Sequence, residues 1–319
     1  MEHAYPSRFR FSLFYVSSLF VLTFLIIHFI RYTDDKLPSK ELFREVITDS
    51  EPVKKTLPVY NYNSLSACNL DREVRNPRVN LTDVGVKLKQ CAFPLFPRFF
   101  SNPEGLMFNW QTVMSICDHE NSVEDIELRK IGADKWAVFP SCQEDSVLVV
   151  LGASRQTRAE EQLSRKIGNL MSHGTDPFEE KSTAFKHFYR FALSEGQKEI
   201  EMEVERVNRT VVSKGIREFL LEDVKSKKID MLWINRNYGN FPFWNYLRAD
   251  GELRKMGIVV CQMMIEVPNE MGEQWVQMIS PLERNSNFIF MRPKTTKDGG
   301  ATAFFVNYVD PECTRKYLE

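Results

Sequence analysis

Apolar residues in the C-terminal half of the chain occur in short runs that are continuous or nearly so, separated by longer amphipathic stretches. The clearest runs are Val147–Leu151, Ile229–Ile234 and Ile258–Ile265, which are five to eight residues long. Continuous Val, Leu and Ile runs of this length are typical of strands that are buried on both faces of a parallel sheet. Because these strands alternate with helix-like segments, the pattern predicts an α/β domain with helices on both faces of a mostly parallel sheet.

The first of these runs continues into a turn and then a helix. The turn Gly152-Ala153-Ser154 follows Val147–Leu151, and apolar residues then recur at helical spacing from Ala159 to Leu170. In α/β folds, ligands bind beyond the carboxyl ends of the strands, where the next helix offers free N–H groups. This strand-turn-helix unit therefore predicts both a fold and the position of a ligand site.

The segments that follow extend the alternation to the end of the chain. A helix is predicted after Asp176, because the apolar residues from Phe185 to Ala192 share one helical face. The last two predicted strands, Phe288–Arg292 and Thr302–Val309, are joined by a short glycine-containing turn and must therefore pair antiparallel. The other predicted elements are a strand over Ile200–Val207 and helices over Ile216–Val224, Phe243–Lys255 and Trp275–Leu282.

The N-terminus carries a different pattern. Phe11–Ile30 contains no Asp, Glu, Lys or Arg, and it has the length of roughly 20 residues that a membrane-spanning helix needs. Arg8 and Arg10 precede it and favour a cytoplasmic N-terminus, with the body in the lumen of the secretory pathway or outside the cell. A cleaved signal peptide is the alternative, although the apolar run is long and ends without small residues. The sequons at Asn80 and Asn208 agree with a lumenal body and predict N-glycosylation.

These patterns divide the chain into five parts. They are a cytoplasmic tail (1–10), an anchor (11–30), a proline-containing stem (31–65), an irregular N-terminal subdomain (66–145) and the α/β domain (146–319).

Charge and cysteine content narrow the class of protein. The net charge of -1 over 319 residues gives no electrostatic reason to expect nucleic acid as a partner. No two of the six cysteines form a CxxC pair, which argues against a zinc ribbon or a thioredoxin-like site. In an oxidising compartment we expect Cys68, Cys91, Cys117 and Cys142 to form disulfides, whereas Cys261 lies in an apolar strand and is interpreted as a buried thiol.

Four polar residues lie where the predicted strands end. Asp176 is placed either to accept hydrogen bonds from ribose hydroxyls or to cap the helix that follows it. Asn235 begins an amide-rich loop after the Ile229–Ile234 strand and is a candidate ligand-binding residue or a turn residue. Glu266 and His173 are further candidates, each with a structural role as the alternative. We assign no catalytic residue and no metal site from these positions.

Five segments resemble the FkbM-type methyltransferase family, and most closely its membrane-anchored nematode branch. The segments, in chain order, are Lys130–Gly152, His173–Pro177, Ile229–Phe241, Gly257–Val267 and Val306–Leu318. The resemblance implies a Rossmann-like methyltransferase fold that binds S-adenosylmethionine and transfers a methyl group to a hydroxyl oxygen, for example of a glycan. On the matching positions it implies that Gly152, Ser154, Asp176 and Asn235 contact the cofactor.

The chain departs from the family at two places. Its first turn has fewer glycines, and Asn235, Asn237 and Asn240 replace the three acids that usually follow the fourth strand, with Tyr238 in place of a glycine. Asparagine keeps hydrogen-bonding capacity but does not accept a proton. A catalytically inactive domain that binds or scaffolds is therefore the alternative function. A glycosyltransferase is a second alternative, because many such enzymes share the arrangement of a short tail, an anchor and a stem. The chain, however, has no DxD motif.

Overall fold

A computed structural model describes most of the C-terminal part of the chain. It covers residues 60–68, 81–92, 94, 105, 111, 114–115, 117, 126–132, 135–153, 156–179, 181–196, 198–204, 207–235, 239–240, 243–268, 275, 279, 287–296 and 300–318. These residues belong to one compact unit, Val59–Glu319. The predicted anchor Phe11–Ile30 and the sequon at Asn80 lie outside the described residues. Within those ranges, no helix combines the length and hydropathy needed to cross a bilayer.

The described strands form a hairpin, an accessory sheet and a large central sheet. In chain order they are β1 (Leu128–Ile131), β2 (Lys135–Val138), β3 (Ser146–Leu151), β4 (Leu170–Thr175), β5 (His187–Tyr189), β6 (Ala192–Ser194), β7 (Glu199–Val204), β8 (Val207–Gly215), β9 (Lys228–Ile234), β10 (Gly239–Asn240), β11 (Val259–Val267), β12 (Phe288–Thr295) and β13 (Ala301–Asn307). The described helices are α1 (Leu81–Ala92), α2 (Arg158–Lys166), α3 (Ile216–Glu218), which continues as a π-helix over Phe219–Val224, α4 (Trp244–Leu247), α5 (Glu252–Lys255) and α6 (Pro311–Tyr317).

The central sheet confirms the mixed α/β architecture with a large, mostly parallel sheet. Its strand order is β12-β13-β11-β9-β3-β4-β5, and only β13 runs antiparallel to its neighbours. Counted from β3, the first five strands lie in the order 3-2-1-4-5, which is the doubly wound arrangement. The order reverses between β3 and β9, so the topological switch point lies at the carboxyl ends of these two strands.

Burial explains why the predominantly apolar runs become the central strands. Leu148 to Leu151 are at most 1% exposed, and Ile229 and Met231 are fully buried. Helix α2 covers the sheet through Ala159 and Leu163, two residues of the predicted apolar stripe. The predicted C-terminal hairpin is also present, but β13 inserts between β11 and β12 instead of adding a new edge strand.

The segment after Asp176 corrects a sequence prediction. It forms no helix over Phe185 to Ala192; His187–Tyr189 pairs in parallel with β4 as the edge strand β5, and β6 follows. The ring of Phe185 packs where a side chain on Gly174 would stand, at 2.8 Å from the ideal Cβ position. Aromatic residues fit a half-buried pleated surface well, and pairing across the sheet overrides the local helical spacing.

The cysteines correct another prediction. Cys68–Cys142 and Cys91–Cys117 form disulfides, as expected for the first four cysteines. Cys261, however, is not a thiol, because it is bonded to Cys313 in α6. No cysteine remains free. The third disulfide therefore ties the C-terminal helix to strand β11 of the central sheet.

A buried glutamine in the central sheet hydrogen-bonds to the β1–β2 hairpin. Gln262, which lies in β11 and is 1% exposed, accepts a hydrogen bond from Val138 N at 2.8 Å and donates one to Val138 O at 2.9 Å. At the turn, Gly132 has φ +67° and lies 3.3 Å, measured from its ideal Cβ position, from the Cβ of Ala159 in α2. The hairpin is thus fixed to both β11 and α2, and it brings Lys135, the first residue of β2, to the switch point.

Candidate functional site

The turn after β3 contains a glycine with positive φ and is fixed to the end of β4. Gly152 has φ +73°, a backbone conformation that residues with a Cβ seldom adopt. Its N–H donates to Thr175 Oγ1 at 3.3 Å, and Ala153 N donates to Thr175 O at 2.7 Å. Gly152 is buried, and the positive φ explains why a glycine stands at this turn. Ser154, the other candidate in this turn, lies outside the described residues.

Asn235 joins the two strands that flank the switch point. Its backbone N–H donates to Leu151 O at 2.9 Å, and its side-chain Nδ2 donates to Gly152 O at 2.9 Å. The residue is 5% exposed. A carboxylate could not make the second bond, because it has no N–H to donate. The sequence indicated only that an acid is missing at this position. The structure shows that the asparagine makes a hydrogen bond that an acid could not make.

A largely buried lysine completes this cluster. Lys135 Nζ donates to Asn235 Oδ1 at 3.2 Å and to Glu160 Oε1 at 2.7 Å, and it lies 4.6 Å from the centre of the Trp233 ring. The side chain of Lys135 is 11% exposed and that of Glu160 is fully buried. Glu160 Oε2 is buried as well and has no hydrogen-bond partner among the described residues. The switch point thus holds a charge pair with one carboxylate oxygen unused.

Neither Lys135 nor Glu160 is among the site residues predicted from the sequence. Glu160 did carry a signal, since it lies three residues before Leu163 and seven before Ile167, on the predicted buried face of α2. A charged residue on an apolar helix face needs a partner. Lys135 carried no such signal, because it comes from a hairpin that precedes the predicted domain.

Asp176 lies at the end of β4 and is 1% exposed. Its Oδ1 accepts hydrogen bonds from Phe178 N at 2.8 Å and Glu179 N at 3.0 Å, and its own N–H donates to Tyr189 O at 3.1 Å. The carboxylate therefore fixes a turn instead of capping the helix that the sequence predicted. The ribose-binding role of Asp176 stays a prediction.

His173 is buried within the sheet. Its ring stacks on that of His187 at a centroid distance of 4.9 Å, and Nδ1 lies 3.3 Å from the hydroxyl of Tyr189. Burial, reinforced by the neighbouring His187, lowers the pKa of His173 to about 4. The ring is therefore neutral at neutral pH and packs as part of the β4–β5 edge.

Two further features bear on where a ligand fits. Among the residues described, no three or more His, Cys, Asp or Glu side chains are grouped so that they could hold a metal ion. A cavity of about 380 Å³ lies at the opposite end of the sheet, lined in part by Arg248, Val260, Asn307 and Asp310. This cavity is separate from the switch point, where the strand topology places a ligand.

Comparison with known proteins leaves the family open. No family model matches the chain, and no curated protein matches it. Among solved structures, the human methyltransferase 10 domain containing protein is similar over 73% of this chain and 99% of its own, with 9% identity and a TM-score of 0.27. A likeness at that level transfers neither fold nor activity. The resemblance to FkbM-type methyltransferases therefore rests on the sequence segments alone.

Proposed function

We propose that this chain binds S-adenosylmethionine at the switch point between β3 and β9 and transfers the methyl group to a hydroxyl oxygen. The observation that carries the proposal is the 3-2-1-4-5 strand order with a positive-φ glycine directly at the point where the order reverses. This is the arrangement in which α/β sheets bind adenosine-containing ligands. The sequence resemblance supports S-adenosylmethionine as the particular ligand.

The residues at the switch point suit such a cofactor. Gly152 presents no side chain at the turn after β3, and Asp176 supplies a carboxylate, the group that accepts hydrogen bonds from ribose hydroxyls. Glu160 has a buried oxygen with no partner among the described residues, which is a costly arrangement unless a ligand supplies a donor. We therefore assign Gly152, Asp176 and Asn235 to the cofactor site, with Ser154 as a further candidate.

The bound cofactor would supply an electrophilic methyl group on a sulfonium. The chain's contribution is to hold and orient the reacting groups, because in-line displacement gains most from positioning. Asn235 and Thr175 fix the turn through Gly152, and Lys135 braces Asn235 from the other side. Asn235 is an amide and cannot take the proton of the acceptor hydroxyl. We assign no general base.

The proposal includes a lumenal location and a membrane anchor at Phe11–Ile30. All six cysteines are paired in disulfides, which persist in oxidising compartments and are rare in the cytosol. Asn208, the described sequon residue, is exposed on β8 and is therefore sterically open to glycosylation. Both observations support routing through the secretory pathway.

A second candidate function is ligand binding without methyl transfer. The observation that favours it is the hydrogen bonding of Asn235, which donates to Gly152 O and accepts from Lys135 Nζ. Asn235 stands where the FkbM-type family, which the sequence resembles, has an acid. In this case the domain keeps the cofactor as a structural or regulatory ligand, and the acceptor is only bound.

One experiment separates the two candidates. The purified full-length chain, with disulfides intact, is incubated with S-adenosylmethionine and a panel of hydroxyl-bearing glycans, and formation of S-adenosylhomocysteine is measured. Glycan-dependent release of S-adenosylhomocysteine supports methyl transfer. Saturable binding of the cofactor without release, across the panel, supports the binding domain. Absence of binding excludes both.

A further inference from the structure

Lys135 and Glu160 each have hydrogen-bonding capacity left over at the switch point. A lysine ammonium has three donors, and the described acceptors of Lys135 are Glu160 Oε1 and Asn235 Oδ1. Glu160 uses Oε1 for this pair, while Oε2 has no partner among the described residues. The pair therefore offers one N–H donor and one carboxylate oxygen side by side.

A free α-amino acid group fits the N–H donor of Lys135 and the oxygen of Glu160 that are left unused among the described residues. A free α-amino acid group carries an ammonium, which needs acceptors, and a carboxylate, which needs donors. Its carboxylate can accept from Lys135 and its ammonium can donate to Glu160 Oε2, so that both buried charges gain a further partner. Hydrogen bonds of this kind, with charged groups on both sides, are the strong class.

The location of the pair agrees with that complement. Asn235 connects the pair to the glycine turn, since its Oδ1 accepts from Lys135 and its Nδ2 donates to Gly152 O. Glu160 stands in the first turn of α2, the helix that starts after that glycine turn. A ligand with its adenosine against the turn would thus reach the pair with the other end of the molecule.

We propose that Lys135 and Glu160 form the subsite for the amino-acid end of the bound cofactor, Lys135 receiving its carboxylate and Glu160 its ammonium. The inference rests on the proposed function, because it concerns the same ligand. It adds two residues to the proposed cofactor site: Lys135 from the β1–β2 hairpin and Glu160 from α2.

The test compares two ligands that differ at this end. S-Adenosylhomocysteine carries the amino-acid group, whereas 5′-methylthioadenosine has the same nucleoside without it. Affinities of both ligands are measured by calorimetry for the full-length wild-type chain and for Glu160→Gln and Lys135→Met. Glu161→Gln is the matched control, because Glu161 lies in the same helical turn but is 47% exposed and pairs with Arg165.

We expect Glu160→Gln to weaken S-adenosylhomocysteine binding about ten- to a hundredfold and to leave 5′-methylthioadenosine binding within about twofold. Lys135→Met should weaken S-adenosylhomocysteine binding more than 5′-methylthioadenosine binding, and it should weaken the latter as well because it removes a hydrogen bond to Asn235. Glu161→Gln should change neither affinity. An equal loss for both ligands, or no loss for either, overturns the subsite while leaving the proposed function intact. Failure of the wild-type chain to bind either ligand overturns both proposals.

The isosteric Glu160→Gln variant keeps the test decisive if Lys135→Met does not fold. Gln retains an oxygen to accept from Lys135 but places an NH₂ group where the ammonium would donate. Circular dichroism and the melting temperature of this variant, compared with the wild type, establish that its loss of affinity is local.

Discussion

Lys316 is the residue whose removal should most damage the stability of the fold. Although it lies in the C-terminal helix, it is only 1% exposed. Its Nζ donates to Asp230 Oδ1 at 2.8 Å and to Asp145 O at 2.7 Å. Asp230 is fully buried and also accepts from Tyr317 OH at 2.8 Å and, through Oδ2, from Val147 N at 2.8 Å. One carboxylate thus joins β3, β9 and α6.

The expected magnitude follows from what Lys316→Met leaves behind. Methionine preserves much of the apolar stem, so the change removes chiefly the charge and its hydrogen bonds. Asp230 would keep two donors but lose its direct ion pair, so that the more distant Lys228 becomes its nearest described counter-charge. Breaking a buried ion pair by removing one partner lowers the free energy of unfolding by about 3–5 kcal/mol. We expect a loss of about 3 kcal/mol, the lower end of that range, because Tyr317 and Val147 still donate to Asp230.

The assay is urea unfolding followed by far-ultraviolet circular dichroism, with disulfides intact. Lys255→Met is the matched control, because Lys255 pairs with Glu252 but is 63% exposed, and exposed pairs contribute about 0–1 kcal/mol. Combining Lys316→Met with Asp230→Asn should give a loss smaller than the sum of the single changes, by about 1 kcal/mol or more, because no charge stays buried. If Lys316→Met unfolds at the same urea concentration as the control, the buried pair contributes nothing and the reasoning is refuted.

Three further predictions follow from the described contacts. The pKa of His173 is about 4 in the folded chain and 6.5 is its ordinary value, so the unfolded chain takes up the proton first as the pH falls. Urea unfolding should therefore show that the wild type loses about 2 kcal/mol more stability than His173→Gln between pH 6.5 and pH 4. Replacing Cys261 and Cys313 by serine opens a crosslink with a sequence separation of 52 and should lower the free energy of unfolding by about 4 kcal/mol, read from the same curves under non-reducing conditions. Asn235→Asp should weaken cofactor binding as measured by calorimetry, because the carboxylate cannot donate to Gly152 O. Stronger binding by Asn235→Asp would mean that the cofactor needs an acid at this position, as in the family that the sequence resembles.

Each of these has an outcome that contradicts it. Parallel pH curves for the wild type and His173→Gln would mean that the histidine is protonated alike in both states. An unchanged unfolding curve for the double serine variant would mean that the pairing of Cys261 with Cys313 adds nothing to stability.

The central sheet could be predicted from the sequence because burial on both faces leaves a local trace. The runs that became β3, β9 and β11 are continuous or nearly continuous and apolar, and their short length between flanking turns favours a buried strand over a buried helix. The edge strand β5 could not be predicted in this way. Its aromatic residues satisfy helical spacing equally well, and pairing with β4 decides the outcome.

Only those parts of the candidate site that follow from the strand order could be predicted from the sequence. Parallel strands bring their carboxyl ends to one edge, so Gly152 and Asn235 were expected to lie together, and Asn235 Nδ2 indeed lies 2.9 Å from Gly152 O. Which atom donates to which needs the turn geometry. Lys135 could not be placed, because it lies 100 positions before Asn235 in a hairpin whose docking depends on Gln262.

The most direct test of the central claim is calorimetric titration of S-adenosylmethionine into the purified full-length chain with its disulfides intact. The strand order and the glycine turn at the switch point predict saturable binding at one site per chain, together with a higher melting temperature in the presence of the ligand. Absence of both heat and thermal stabilisation at saturating ligand would contradict the account.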